Sequence, residues 1–196
     1  VLHADARSLA DTDRVISEVR QRFGTLTTLF LNAGINRAVA LEAWDEATFD
    51  DVFAVNTRGN FFTLVKALPV LSDGASIVIT VGIGARRALL GNSVTVGARG
   101  ALLAMIPTLA LELAPRRIRI NAVSPGITDT PMTRTALGRG SDDVEAMLAA
   151  MATNNPFGRL ASPEDIAETV AYLASDGAAY ITGQEIVVSG GAGLGV

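Results

Sequence analysis

Short apolar runs alternate with longer stretches of helical period along the whole chain. Residues 27–32 (TTLFLN), 76–81 (SIVITV), 118–123 (IRINAV) and 185–188 (EIVV) are brief runs that turn residues bound on either side. Several are apolar at nearly every position instead of at every second one, as in strands buried on both faces. Between them, residues 8–23 place Leu9, Val15, Ile16, Val19 and Phe23 at helical spacing, with Gly24 following as a cap. Further helices are expected over about 48–71 and 93–114, and from Ser162 as N-cap and Pro163 at N1 to about 174. A loop and helical region covers about 131–151, and residues 1–4 read as the remnant of a strand. Strands that take turns with helices form a parallel sheet, because each parallel connection needs a long crossover. The expected fold is therefore α/β, a parallel sheet with helices on both faces, in one domain spanning residues 1–196.

Composition narrows the chemistry. At 196 residues, with 49% hydrophobic and 18% charged side chains, the chain can bury a core and is not disordered. A net charge of −4 without a basic run speaks against nucleic acid. With no cysteine, disulfides, thiolate catalysis and cysteine zinc sites are excluded, and with His3 the only histidine no metal site is expected. No signal peptide or 18-residue apolar run is apparent, so a cytoplasmic protein with no membrane segment is expected. The chain opens at Val1 without an initiator Met, which reads as truncation, processing or trimming.

Six blocks in order resemble the short-chain dehydrogenase/reductase family. They are Leu31-Asn32-Ala33-Gly34, Val55-Asn56-Thr57-Arg58-Gly59, the stretch from Glu112 to Pro125-Gly126, Gly158 to Ala167, Tyr172 to Asp176, and Ile181-Thr182-Gly183 leading to Gly190-Gly191. The resemblance implies a Rossmann-like sheet and a nicotinamide nucleotide, NAD(P). On its pattern Asp5 meets adenine, and Asn32, Ala33, Gly34, Pro125, Gly126, Thr128 and Thr130 line the cofactor. Small residues at Asn-Ala-Gly agree with a backbone that comes close to a ribose.

Two departures stand against the family pattern. The first two strands and the glycine-rich turn that holds a pyrophosphate do not precede Asp5, a gap on the order of 50 residues by element lengths. The glycine-rich tail from Gly190 to Gly195 follows the last strand, has no helix after it, and reads as structural. Without those strands the 27–32 strand is an apolar edge, unless residues 1–4 pair beside it to give a five-stranded sheet. The other departure is catalytic. Counting back from Glu112, the family's Tyr position holds Thr95, its Lys position Arg99 and its Ser position Gly82, and Asn56 alone survives. The only lysine is Lys66 and both tyrosines, Tyr172 and Tyr180, lie after it, so no Tyr-x-x-x-Lys exists. Thr95 has no accessible acid near neutral pH and Arg99 is no proton-transfer base, although Arg99 can bind ribose hydroxyls or a phosphate.

The leading expectation is a pseudoenzyme or partner subunit without the usual reductase activity and with no cofactor. It would assemble as a homodimer or homotetramer, or with an active homologue, through its long helices. One alternative is a non-redox enzyme, a cyclase, dehydratase or isomerase, that uses the old cleft around Asn56, Thr95 and Arg99. Another is an NAD(P)-dependent oxidoreductase whose N-terminus is missing from this chain. Arg37, Arg58, Arg86 and Arg87 are candidates for an anion-binding mouth, though solvation is their default. Asp142, Asp143 and Glu145 read as a helix start, Pro107 as a helix kink, Trp44 as packing beneath a loop, and Asn92 and Ser93 as polar groups beside the catalytic position.

Overall fold

Four parallel strands form one sheet in sequence order: β1 (Leu26–Leu31), β2 (Leu71–Thr80), β3 (Arg119–Pro125) and β4 (Glu185–Val188). The computed structural model describes residues 1–138 and 143–194; Asp142 and Gly195 lie outside them. Neighbouring strands pair Leu29 with Ile77, Ile77 with Ile120 and Ala122 with Glu185. Because side chains alternate along a strand, β2 divides its apolar residues between two layers. Ile77 and Ile79 meet Leu102 and Ile106 of α4 (Ser93–Leu113), whereas Val78 joins Val123 and Leu173 of α7 (Pro163–Ala174). Burial on both faces is what the near-continuous apolar runs required.

The helix ends follow the local chemistry of the sequence. Ser8 accepts from Asp11 N to open α1 (Leu9–Phe23), and Gly24 closes it at φ 73°. Ser162 and Asp165 cap α7 reciprocally. The expected 48–71 helix is instead α2 (Glu46–Phe53), a π-helical segment Ala54–Gly59, and α3 (Asn60–Ala67). Pro69 sits in the short turn after α3, and β2 begins at Leu71, earlier than read. The 131–151 region contains α5 (Pro131–Gly138) and α6 (Val144–Thr153), the latter capped by Asp143. α4 runs through Pro107 as one helix.

Residues 1–4 form no strand, so the five-stranded alternative is not taken. Their neighbours are committed to the start of α1: Asp5 N donates to Asp11 Oδ2, and the Arg14 guanidinium bonds His3 O. Among the described residues β1 is one edge of the sheet, with Phe30 43% exposed. One stretch among the described residues, Ser93–Arg116, is long and apolar enough to cross a membrane by length and composition, at a mean hydropathy of 1.6. Its Leu102, Ile106, Leu109 and Leu113 are part of the core against the sheet.

Candidate functional site

Open α/β sheets present their ligand crevice beyond the C-terminal ends of the strands. Here that edge holds Asn32-Ala33-Gly34 after β1, Gly82 after β2, and Pro125-Gly126 where β3 ends. Asn32 Oδ1 accepts from Thr80 Oγ1 at 2.8 Å, which ties the ends of β1 and β2 together. The Arg99 guanidinium packs against Gly34: a Cβ there would lie 1.5 Å from Arg99 Nη2 and 3.3 Å from Asn56 Oδ1, so a side chain at this position would displace the guanidinium.

Asn56 is fully buried in the π-helical segment. Its Nδ2 donates to Ile35 O and its Oδ1 accepts from Ile35 N, both at 2.9 Å, so the side chain fixes the turn after Gly34. Asn60 Nδ2 donates to Ala33 O and Val55 O at 3.0 Å and to Asn56 O at 3.2 Å. It thereby serves carbonyls of the π segment, a distortion often found at functional sites. Sequence reading missed Asn60; its spacing of four residues from Asn56 was the available signal.

Thr95 and Arg99 share one face of α4. Thr95 Oγ1 donates to Arg37 O at 3.1 Å and accepts from Arg37 N at 3.2 Å, so its proton is committed to backbone. Arg99 Nη1 donates to Thr80 O at 2.7 Å. Among the described residues no carboxylate pairs with Arg99, and desolvation by burial lowers its pKa to about 10. It is still a cation at neutral pH. Gly82, at φ 115°, has a conformation that side chains rarely adopt, which suits the absence of the family's Ser.

The loop after β3 is closely tied. Gly126 N donates to Val188 O at 2.9 Å, and a Cβ at Gly126 would meet Ser189 Cβ at 2.9 Å. Thr128 Oγ1 donates to Gly126 O, while Thr133 Oγ1 donates to Thr128 O at 2.7 Å and lies 3.2 Å from Thr130 Oγ1. Asp5 stands at the far end of a polar chain. Arg7 holds it, and the Arg7 backbone N–H above all keeps its carboxyl below the usual range. Arg7 Nε reaches Asp51 at 2.6 Å, Asp51 meets Arg37 at 3.3 Å, and Arg37 brackets Thr95.

The four arginines do not converge on one mouth. Arg37 pairs with Asp51, Arg58 donates to Arg7 O at 3.4 Å, Arg86 pairs with the nearly buried Glu185, and Arg87 lies against Gly193. No group of three or more His, Asp or Glu that could hold a metal occurs among the described residues. Among the described residues three buried side-chain polar atoms have no partner: Asn36 Oδ1, Trp44 Nε1 and Asn92 Oδ1.

The model of the enoyl-(acyl carrier protein) reductase family matches residues 1–193. An uncharacterized oxidoreductase of Methylorubrum extorquens is 36% identical over 190 residues, 97% of this chain and 75% of the relative. A 3-oxoacyl-[acyl-carrier-protein] reductase of Staphylococcus aureus is 38% identical over 193 residues, 94% of this chain and 74% of that one. Among solved structures, the ligand-free aldohexose dehydrogenase of Thermoplasma acidophilum matches with TM-score 0.94 at 28% identity, covering 100% of this chain and 78% of that chain. A short-chain dehydrogenase/reductase of Brucella melitensis matches with TM-score 0.90 at 34% identity, covering 97% of this chain and 74% of that one.

Proposed function

Because the chain belongs to the short-chain dehydrogenase/reductase family, we propose that it acts as an NAD(P)-linked oxidoreductase on a small carbonyl or alcohol. The observation that carries this reading is Arg99, a desolvated cation at the strand edge with one backbone bond and no carboxylate partner among the described residues. A half-buried charge without an anionic partner is costly to the folded chain, and a ligand rich in oxygen acceptors offsets that cost. The names of the relatives, reductase and dehydrogenase, favour this reading over the non-redox ones and over the expectation of no cofactor.

The residues present suit the nicotinamide half of such a nucleotide. Arg99 and the Asn32-Ala33-Gly34 edge would hold the ribose, Pro125, Gly126, Thr128 and Thr130 the nicotinamide, and Asp5 the adenine. The nucleotide, when bound, supplies or takes a hydride. Arg99 keeps its proton at neutral pH and binds without acting as a base. Thr95 is not the acid, since its proton is on Arg37 O. Exchange with water then replaces a positioned acid, which lowers the rate by about 10²- to 10⁴-fold relative to a Tyr-equipped site.

The committed Thr95 hydroxyl also favours a second reading, in which the cleft binds without turnover and the chain is the partner subunit of an active homologue. Exposed apolar residues on α3 and α4, Phe62, Val65 and Leu111, support assembly as a homodimer or homotetramer in either case. Calorimetric titration with NADH and NADPH tests the proposal. Micromolar binding that Arg99→Met weakens about tenfold or more is expected; no binding of either nucleotide overturns it. Binding without turnover of any keto substrate selects the second reading.

A further inference from the structure

Asn60 stands where the π-helical segment passes into α3, and it is only 2% exposed. Its backbone N–H donates to Thr57 O. The carbonyls five and four residues before it, Val55 O and Asn56 O, are served by its side chain instead, at 3.0 and 3.2 Å. The same Nδ2 reaches out of the helix to Ala33 O at 3.0 Å. Turning the amide over would set Oδ1 against three carbonyls, so its orientation is fixed. Holding the helix together takes only the first two bonds. The third goes to the loop after β1.

That third bond decides how the next peptide lies. No cis peptide bond occurs among the described residues, and in a trans peptide the C=O and the N–H point opposite ways. With Ala33 O turned toward Asn60, the Gly34 N–H is turned away from it, and it donates to nothing among the described residues. One residue further on, Asn56 holds both backbone polar groups of Ile35 at 2.9 Å. Gly34 is therefore clamped on either side by two asparagines four residues apart. A clamp matters most at glycine, whose backbone turns most freely. The clamped peptide is open to a ligand: Ala33 is exposed, Gly34 and Arg99 are half-buried, and Arg99 Nη2 packs against Gly34.

We propose that Asn60 is a positioning residue of the cofactor cleft. By holding Ala33 O it keeps the Gly34 N–H, beside Arg99, free for an oxygen of the nucleotide. This rests on the oxidoreductase reading of the same cleft and adds to it a residue that itself touches no ligand.

Asn60→Ser separates the positioning bond from the helical ones. A serine hydroxyl within a helix bonds the carbonyl four residues back, here Asn56 O, and is too short to reach Ala33 O as well. The variant should keep a urea midpoint near that of the unsubstituted chain and bind NADH about tenfold more weakly, the effect of one well-made hydrogen bond. Without nucleotide, its Ile35 amide should exchange with solvent about tenfold faster, because one of the two clamps on the turn is gone. Asn60→Ala drops all three bonds, so it should lose stability too and bind NADH no better than the serine variant. Should Asn60→Ala fail to fold, Asn60→Ser alone decides. Unchanged NADH affinity in Asn60→Ser, an unchanged Ile35 exchange rate, or an NADH loss that merely follows the urea midpoint through the two variants overturns the inference. Failure of the oxidoreductase reading shows up separately, since the unsubstituted chain then binds neither NADH nor NADPH. Ile35 exchange, read without nucleotide, still decides whether Asn60 sets the turn: faster exchange in Asn60→Ser upholds it and an unchanged rate overturns it.

Discussion

Around α7 the buried polar side chains are paired. Asn121 donates to Ile181 O at 2.9 Å and accepts from Gln184 N at 3.0 Å; Arg119 donates to Leu173 O and Ser175 O, and Ser76 to Leu173 O. Along the first two turns of α4, on the other face of the same sheet, Asn92 and Arg99 have polar atoms to spare, and Asn36 does so on the adjoining loop. The two regions draw on similar residue types, so composition does not separate them. Their difference lies in what completes them. The α7 layer is finished by the chain itself, whereas along α4 polar atoms are left that the described residues do not pair.

Removing a polar group should therefore cost most at α7. Asn121→Ala removes two bonds from a fully buried side chain and leaves the Ile181 carbonyl and the Gln184 N–H, both in part-buried bonds, without that partner. A loss of about 2 kcal/mol is expected, since an orphaned group costs about 1–3 kcal/mol and water reaches part of this site. Urea denaturation measures it, and a loss near zero would break the contrast by showing that water completes this layer as well.

Thr95→Val comes next, because Thr95 belongs to the cleft by position and to the scaffold by bonding. The substitution keeps the shape and removes both bonds to Arg37. About 1–2 kcal/mol should be lost in a partly buried site. Redox turnover should not fall if Thr95 is not the acid, so an enzyme equally active with Val at this position sharpens its assignment to the seam.

At Arg99 the sign reverses. Its pKa is about 10 in the folded chain against 12.5 for the free group, so the unfolded chain holds the proton more readily. The penalty on folding is present below about pH 10 and disappears as pH rises toward 12.5. Arg99→Met removes that penalty along with the bond to Thr80 O. A net gain of about 1 kcal/mol at pH 7 is expected, raising the melting temperature by about 2–4 °C while nucleotide binding weakens. A destabilised Arg99→Met would show that the cation has an internal partner and that the cleft is complete without ligand.

The layer built by the chain alone was the more legible in the sequence. Near-continuous apolar runs and the Ser162-Pro163 start announce β2, β3 and α7, because their causes are local: alternation, capping and the need for buried strands. Residues 1–4 were misread, since tethering by Asp11 and Arg14 is a tertiary event that four apolar-leaning residues do not reveal. The break of the 48–71 helix into a π segment was likewise invisible, being visible only once Asn60 has carbonyls to serve. In the cleft, the identity of Arg99 and Thr95 could be read by counting, but not that Thr95 would be tied to Arg37 and Asn92 left open. Those facts depend on how two loops meet.

The smallest effect is expected at the exposed rim of the completed layer. The Arg159 guanidinium, with the Ser162 N–H, holds the Asp165 carboxylate well below the usual carboxylate range. For an acid with a depressed folded pKa, the stabilisation is present above the ordinary value of 3.8 and is lost as pH falls through the lower folded one. Asp165→Asn should therefore lower the melting temperature at pH 7 and at pH 4.5 alike, and the two proteins should converge only in stronger acid. The difference is small because Arg159 is 58% exposed and the pair is screened by solvent and salt. Adding NADH should leave it unchanged, since the polar groups of this layer are paired within the chain, while the same addition should reduce or reverse the advantage of Arg99→Met. A ligand-dependent Asp165→Asn difference would mean that the two faces of the sheet are coupled, and that completion of the α7 layer is not independent of the cleft.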